Sequence, residues 1–272
     1  MRSSNPVFSR RGFSRDTGYA GFNAPPQAGG AANPYAGTNP YATQAPPQYT
    51  PQTRPMTMDD VVTRTAMTLG TVIAGATVGW IFLTGALGFA VFAGLVAMGL
   101  GFAQTFMRRP VPALILAYAA FEGIFLGALS GAINDLPKMG GAPMQAVLGT
   151  MAVFVAMLVA YKTRLVRVTA RFTRFVIIAA LGFVLLSLVN MLFMVFGGGD
   201  GLGFRSGGLG ILFGVVGVVL GALFLALDFK QVEDGIAYGA PREESWLAAF
   251  GLTMTLVWIY LEMLRLVQIL RD

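Results

Sequence analysis

Two acids stand where a carboxylate is expensive to keep. Glu262 lies inside the apolar run Trp246 to Leu270, with Arg265 three residues on, and Asp228 lies near the end of the run Gly207 to Phe229. An ionised acid in hydrocarbon must face protein or water rather than lipid. At helical spacing Gly251, Thr255, Glu262 and Arg265 share one stripe of the last run, with Leu252, Leu256, Ile259 and Leu266 towards the other side. In the run before it, Gly210, Gly214, Gly217 and Gly221 make a face of small residues that lets another helix approach closely, and Asp228 falls on that same face two turns beyond Gly221. The chemistry open to such a pair is proton exchange and weak cation binding. Two acids close together in a dry site cannot both ionise cheaply, so they share a proton and titrate as one unit. With carbonyls and water, Asp228 and Glu262 would also make a weak, transient cation site. A hydrogen bond between them would tie the two helices and shut a path, and a change in its protonation would loosen the tie.

Each acid has a plainer reading. Asp228, in the sequence DFK at a helix end, can be solvated at the interface; Glu262 can form a local pair with Arg265, because residues three apart on a helix are neighbours. Two straight helices joined by KQVEDGIAYGAPREES would not bring the acids together, so a pair needs tilt, a broken segment or a re-entrant loop. Other polar candidates are Glu122, with Tyr118 one turn before and Ser130 two turns after, and Asn190, which is more simply a helix-to-helix hydrogen bond. Gly123, Gly127 and Gly131 beside Glu122 read as packing contacts.

The elements that must position these residues are membrane spans. Of 272 residues 55% are hydrophobic and only 12% charged, too few charges to coat a globule of this size. The expected fold class is an all-α integral membrane protein with seven transmembrane helices, the C-terminal one central. The spans are Ala66 to Leu83, Leu87 to Phe106, Val111 to Ile133, Pro143 to Tyr161, Phe172 to Phe196, Gly207 to Phe229 and Trp246 to Leu270. Residues 1–56 are rich in Pro, Gly, Ala, Gln and Tyr, with NPYAGT echoed by NPYATQ, and are expected to be a disordered cytoplasmic tail before a seven-helix domain over 57–272. That tail is a tyrosine-bearing docking segment or a solubilising extension. The first residues lack the apolar core of a secretory signal, so the tail is expected to be retained.

Lys and Arg near the spans number eleven on the side of the amino terminus and four on the other, which predicts a cytoplasmic amino terminus and an external carboxyl terminus. The same asymmetry accounts for the net charge of +6 without nucleic acid. There is no cysteine and no histidine, so disulfides, haem and cysteine-ligated zinc are excluded and no cofactor is expected. An enzyme is disfavoured too: there is no hydrolytic dyad, no phosphate loop in a strand-to-helix context and no HExxH motif.

The chain resembles the transmembrane Bax inhibitor motif family, in its bacterial branch. The matching stretches are YAAFEGIFLGALS in the third span, LLSLVNMLF in the fifth, LALDFKQVEDGI closing the sixth and LVWIYLEMLRLVQILR in the seventh, over about residue 60 to the end. The resemblance implies a seven-helix fold round a central last helix. It also implies a proton-sensitive acid pair, here Asp228 and Glu262, gating a leak of cations, chiefly calcium, across a bacterial plasma membrane. Glu262 replaces a usual aspartate, Arg265 stands where many members are uncharged, the loop between the last two spans is longer than usual, and Glu122 is outside the core pair. The competing class is a non-conducting regulator acting on membrane proteases or other membrane partners.

Overall fold

The computed structural model describes residues 54–197 and 206–271, and these form seven helices with no strand among the described residues. They are α1 (Met58–Leu83), α2 (Leu87–Phe106), α3 (Pro112–Asn134), α4 (Ala142–Lys162), α5 (Ala170–Gly197), α6 (Gly207–Ala237) and α7 (Glu244–Arg271). All seven are long and apolar enough to cross a bilayer. The seven expected spans are therefore present, but most of the helices extend past their apolar runs, α1 and α6 the furthest. α1 starts two turns early because Thr57 and Asp60 form a reciprocal capping box at 3.3 Å in each direction. α6 continues through its polar end to Ala237, where Lys230 and Asp234 pair one turn apart at 2.7 Å. α5 begins at Ala170, ahead of Phe172.

Small residues set the closest packing. A methyl built on Gly79 of α1 would run into the Ile124 carbonyl of α3, and one on Gly127 of α3 into the Ala76 carbonyl of α1. Gly123 meets the Val72 carbonyl in the same way, and Gly131 meets Thr84. The α3 glycines are thus packing contacts, as their spacing predicts. Their partners Gly75 and Gly79 complete the contact, with both backbones in van der Waals range.

α7 occupies the middle. Its backbone approaches α1, α3, α4 and α6, and Trp258 receives the α5 ring of Phe183 at 5.6 Å. Thr253, Ile259 and Leu264 are fully buried. Hydroxyl bonds fix it on two sides: Thr68 of α1 with Thr253 at 2.9 Å, and Ser130 of α3 with Tyr260 at 2.6 Å. Its ends are tied as well. Arg271 Nη1 donates to the carbonyls of Lys138 and Gly140, and at the other end Arg242 Nε donates to Asp60 at 2.7 Å while Arg64 stacks on Trp246. On the outside, exposed residues such as Ile73, Phe89 and Ile178 form the apolar surface that a bilayer covers.

The tail expected over residues 1–56 lies outside the described residues except at its end, and so do Asp200 and Arg205. At that end Met56 is buried, its N–H donating to the Ala240 carbonyl at 2.7 Å, and Arg242 N–H donates to the Arg54 carbonyl at 2.9 Å. The packed part thus reaches back to residue 54 and rests on the α6–α7 turn.

Candidate functional site

The glycine face of α6 receives α7, as their spacing predicts. A methyl on Gly214 would meet Leu266 at 3.1 Å, one on Gly221 would meet Ile259 at 2.5 Å, and Gly210 is buried on the same face. Between Gly214 and Gly221, the room left by Gly217 is shared by Phe183, whose Cζ lies 2.8 Å from where a β-carbon would be, and Glu262, whose Oε2 lies 2.9 Å from it. The Glu262 side chain is only 11% exposed, and Arg265 Nη1 lies 3.6 Å from its Oε2. The local pair expected from their spacing is therefore formed, inside the bundle. Aromatic rings wall this pocket: Phe183 of α5 stacks on Phe213 of α6 at 4.3 Å and leans on Trp258, whose indole N–H donates to the Gly217 carbonyl at 3.1 Å. An indole spending its one donor on a helical carbonyl pins α7 to α6 at the level of the acid.

Asp228 lies on the same α6–α7 interface but at another level. Its Oδ2 accepts from the Thr255 hydroxyl at 2.6 Å, and its Oδ1 lies 3.5 Å from a methyl built on Gly251. Gly251, Thr255 and Glu262 thus face α6, and so do Ile259 and Leu266, which the sequence places towards the other side. Asp228 is half-buried and bonded to α7, not merely solvated at a helix end.

The two acids do not meet. From Thr255 to Glu262 is two helical turns, about 10 Å along the axis, and from Gly217 to Asp228 three turns, about 16 Å. The reason is the extra length of α6: it runs on past Asp228 to Ala237 before the chain turns, so the stretch of α7 opposite Asp228 is its third and fourth turns. The helices neither break nor bend back to close the gap. A calcium ion bound by oxygens at about 2.3–2.6 Å cannot be held by both acids across that distance. Among the described residues no group of three or more acidic side chains converges to hold a metal. What separates the levels is apolar: Leu225 and Ile259, both fully buried, lie between them, with Leu256 in the same core cluster.

The remaining candidates sit apart. Glu122 lies on α3 one turn from Tyr118, which packs edge-on against Phe250 of α7 at 5.1 Å. Asn190, 2% exposed, is two turns along α5 from Phe183 and so on the same face. Three participants escape a reading of the sequence: Trp258, Phe183 and Tyr260. The only signal for Trp258 is its place one turn before Glu262; nothing distinguishes Phe183 from the other aromatic residues of α5.

These features define a multi-pass membrane protein built round an interior helix that carries an acid. The chain belongs to the Bax inhibitor 1 like family, whose model matches residues 5–272. The match takes in most of the amino-terminal stretch that the resemblance alone leaves out. A comparison with curated proteins gave no match.

Proposed function

We propose that the protein is a pH-sensitive leak path for cations, chiefly calcium, in a bacterial plasma membrane, with the amino terminus cytoplasmic and the carboxyl terminus external. The path follows the α6–α7 interface. The observation that carries this reading is Glu262, an acid with an 11% exposed side chain, held in the middle of the central helix against a glycine of the next one. An ionisable group kept at such cost inside a membrane protein is by default part of an ion or proton path.

The gate differs from a hydrogen-bonded acid pair. Asp228 and Glu262 are two stations on one interface, with the layer of Leu225, Leu256 and Ile259 between them acting as the closed barrier. Asp228 is also a tie between the two helices, through Thr255, whereas Glu262 pairs with Arg265 within α7 and fills the room that Gly217 leaves on α6. Protonating Asp228 weakens its bond to Thr255, and protonating Glu262, beside Gly217, removes the charge it sets against Arg265, so the seat of α7 on α6 loosens and the apolar layer can part. Calcium would be handed on by single acids with carbonyls and water, weak binding that suits passage. The protein conducts rather than catalyses and needs no cofactor.

The test is calcium flux by the purified protein in liposomes over a pH series. Glu262→Gln and Asp228→Asn should each change the flux and flatten its pH dependence. Unchanged flux and pH profile in both variants would overturn the reading. The sealed layer also suits a second reading, a non-conducting regulator of membrane partners. Silence of the wild type at every pH, with a membrane protein co-purifying, would decide for that one.

A further inference from the structure

The gap between α1 and α4 is a second feature of the fold, independent of conduction. No Cα of α1 comes within 8 Å of one in α4, although both pack on α7. At the basic end of the bundle this gap is a slot of about 560 Å³ with apolar walls, among them Val62 of α1, Phe154 and Leu158 of α4, and Leu252 of α7. Val62 is 60% exposed and Leu158 41%, so the slot opens sideways to the bilayer. Beside it is a polar bay of about 370 Å³ lined by Lys162, Arg164, Arg167 and Lys230. The cavities share the wall formed by Tyr161, Lys162 and Glu233, where the Tyr161 hydroxyl donates to the Glu233 carboxylate.

The bay keeps a surplus of positive charge. Lys230 is matched by Asp234 at 2.7 Å and Glu233 at 4.0 Å, but Lys162, Arg164 and Arg167 have no acidic partner among the described residues. The loop that carries them is folded back, with the N–H groups of Leu165 and Val166 both donating to the Ala160 carbonyl. Its turn puts Arg164 at a φ of 59°, a backbone conformation that glycine adopts at less cost. Arg164 is one of the residues that line the bay.

We propose that the slot and the bay together bind one anionic glycerophospholipid of the adjacent leaflet. Its phosphate lies among Lys162, Arg164 and Arg167, and an acyl chain lies in the slot against α7. A basic pocket between helices at the membrane surface takes lipid headgroups, and here an apolar channel of the right polarity leads from it towards the bilayer interior. A soluble phosphate compound would use the bay and leave the slot unfilled, whereas a lipid uses both.

The full chain, purified in mild detergent with equal phosphatidylglycerol and phosphatidylcholine, is read by native mass spectrometry. The wild type should retain phosphatidylglycerol over phosphatidylcholine by at least about fivefold, the preference expected of one basic residue near the headgroup. Arg164→Gln with Arg167→Gln should bring that ratio close to one. Val62→Trp, which leaves every charge in place, should lower retention of both lipids, whereas Met144→Trp, in a separate cavity further along the gap, should not. No preference in the wild type, or an unchanged pattern in both the arginine and Val62 variants, overturns the proposal. Displacement of the lipid by glycerol phosphate alone overturns it in favour of a free anion. A wild type that holds no lipid and runs as a dimer overturns it in favour of a second copy.

Discussion

Ile259 fills the space that any side chain at position 221 would need, its Cγ1 lying 2.5 Å from a methyl built on Gly221. The central helix is therefore seated against α6 by the absence of a side chain on one and the fully buried branch of the other. Gly221→Val should force the two apart and cost about 1–3 kcal/mol, the usual penalty of overfilling a packed site. Thermal unfolding in detergent checks this, with Gly70→Ala, which meets nothing within 4 Å, as the silent control.

The Glu262–Arg265 contact is a pair of charges inside the bundle, so the loss of either member should cost more than the loss of both. Arg265→Met and Glu262→Gln should each destabilise, and the double variant should recover part of the loss. A double-mutant cycle on unfolding free energies should give a coupling of about 1–3 kcal/mol. Simple additivity would mean that the two charges do not depend on each other.

Thr255 gives its hydroxyl proton to Asp228 at 2.6 Å. Thr255→Val keeps the shape and removes the donor, at an expected cost of about 1–3 kcal/mol for a half-buried carboxylate that loses a partner. Thr255→Ser should be close to neutral. Comparing the two by thermal unfolding separates the hydrogen bond from the packing of the methyl group.

Ser130 and Tyr260 should behave as one unit. The tyrosine has only the serine hydroxyl as its hydrogen-bond partner among the described residues, whereas Ser130 also bonds the Leu126 carbonyl of its own helix. Ser130→Ala should therefore cost about 1 kcal/mol or more, since a partly buried phenol loses its partner. Tyr260→Phe should cost less than Ser130→Ala, because the serine keeps its bond within α3. The reverse order would show that the phenol finds another partner.

Much of this architecture can be read from residue types and spacing. The glycines of α6, the glycines of α3 and the Glu262–Arg265 pair all sit at helical intervals, and those intervals survive folding because the helices are regular. The level at which two helices meet is another matter. Nothing between Asp228 and Glu262 shows that α6 keeps its helical path through KQVEDGIA to Ala237, yet that extension sets the offset between the acids. Polar sequence at the end of a span looks like loop, and the Lys230–Asp234 pair that supports it as helix is visible only in hindsight. The hydroxyl bonds are illegible for a related reason. Thr68 and Thr253 each also bond a carbonyl of their own helix, so neither advertises a need for the other.

The helix at the middle of the bundle is also made after the other six. Until α7 is made, the earlier spans surround a site with no occupant: Thr68, Ser130 and Asp228 wait for hydroxyls supplied by residues 253, 260 and 255. A nascent chain halted before Glu244 would thus be inserted but hollow, and quality control in the membrane would meet a ring of helices whose polar groups face inward on nothing.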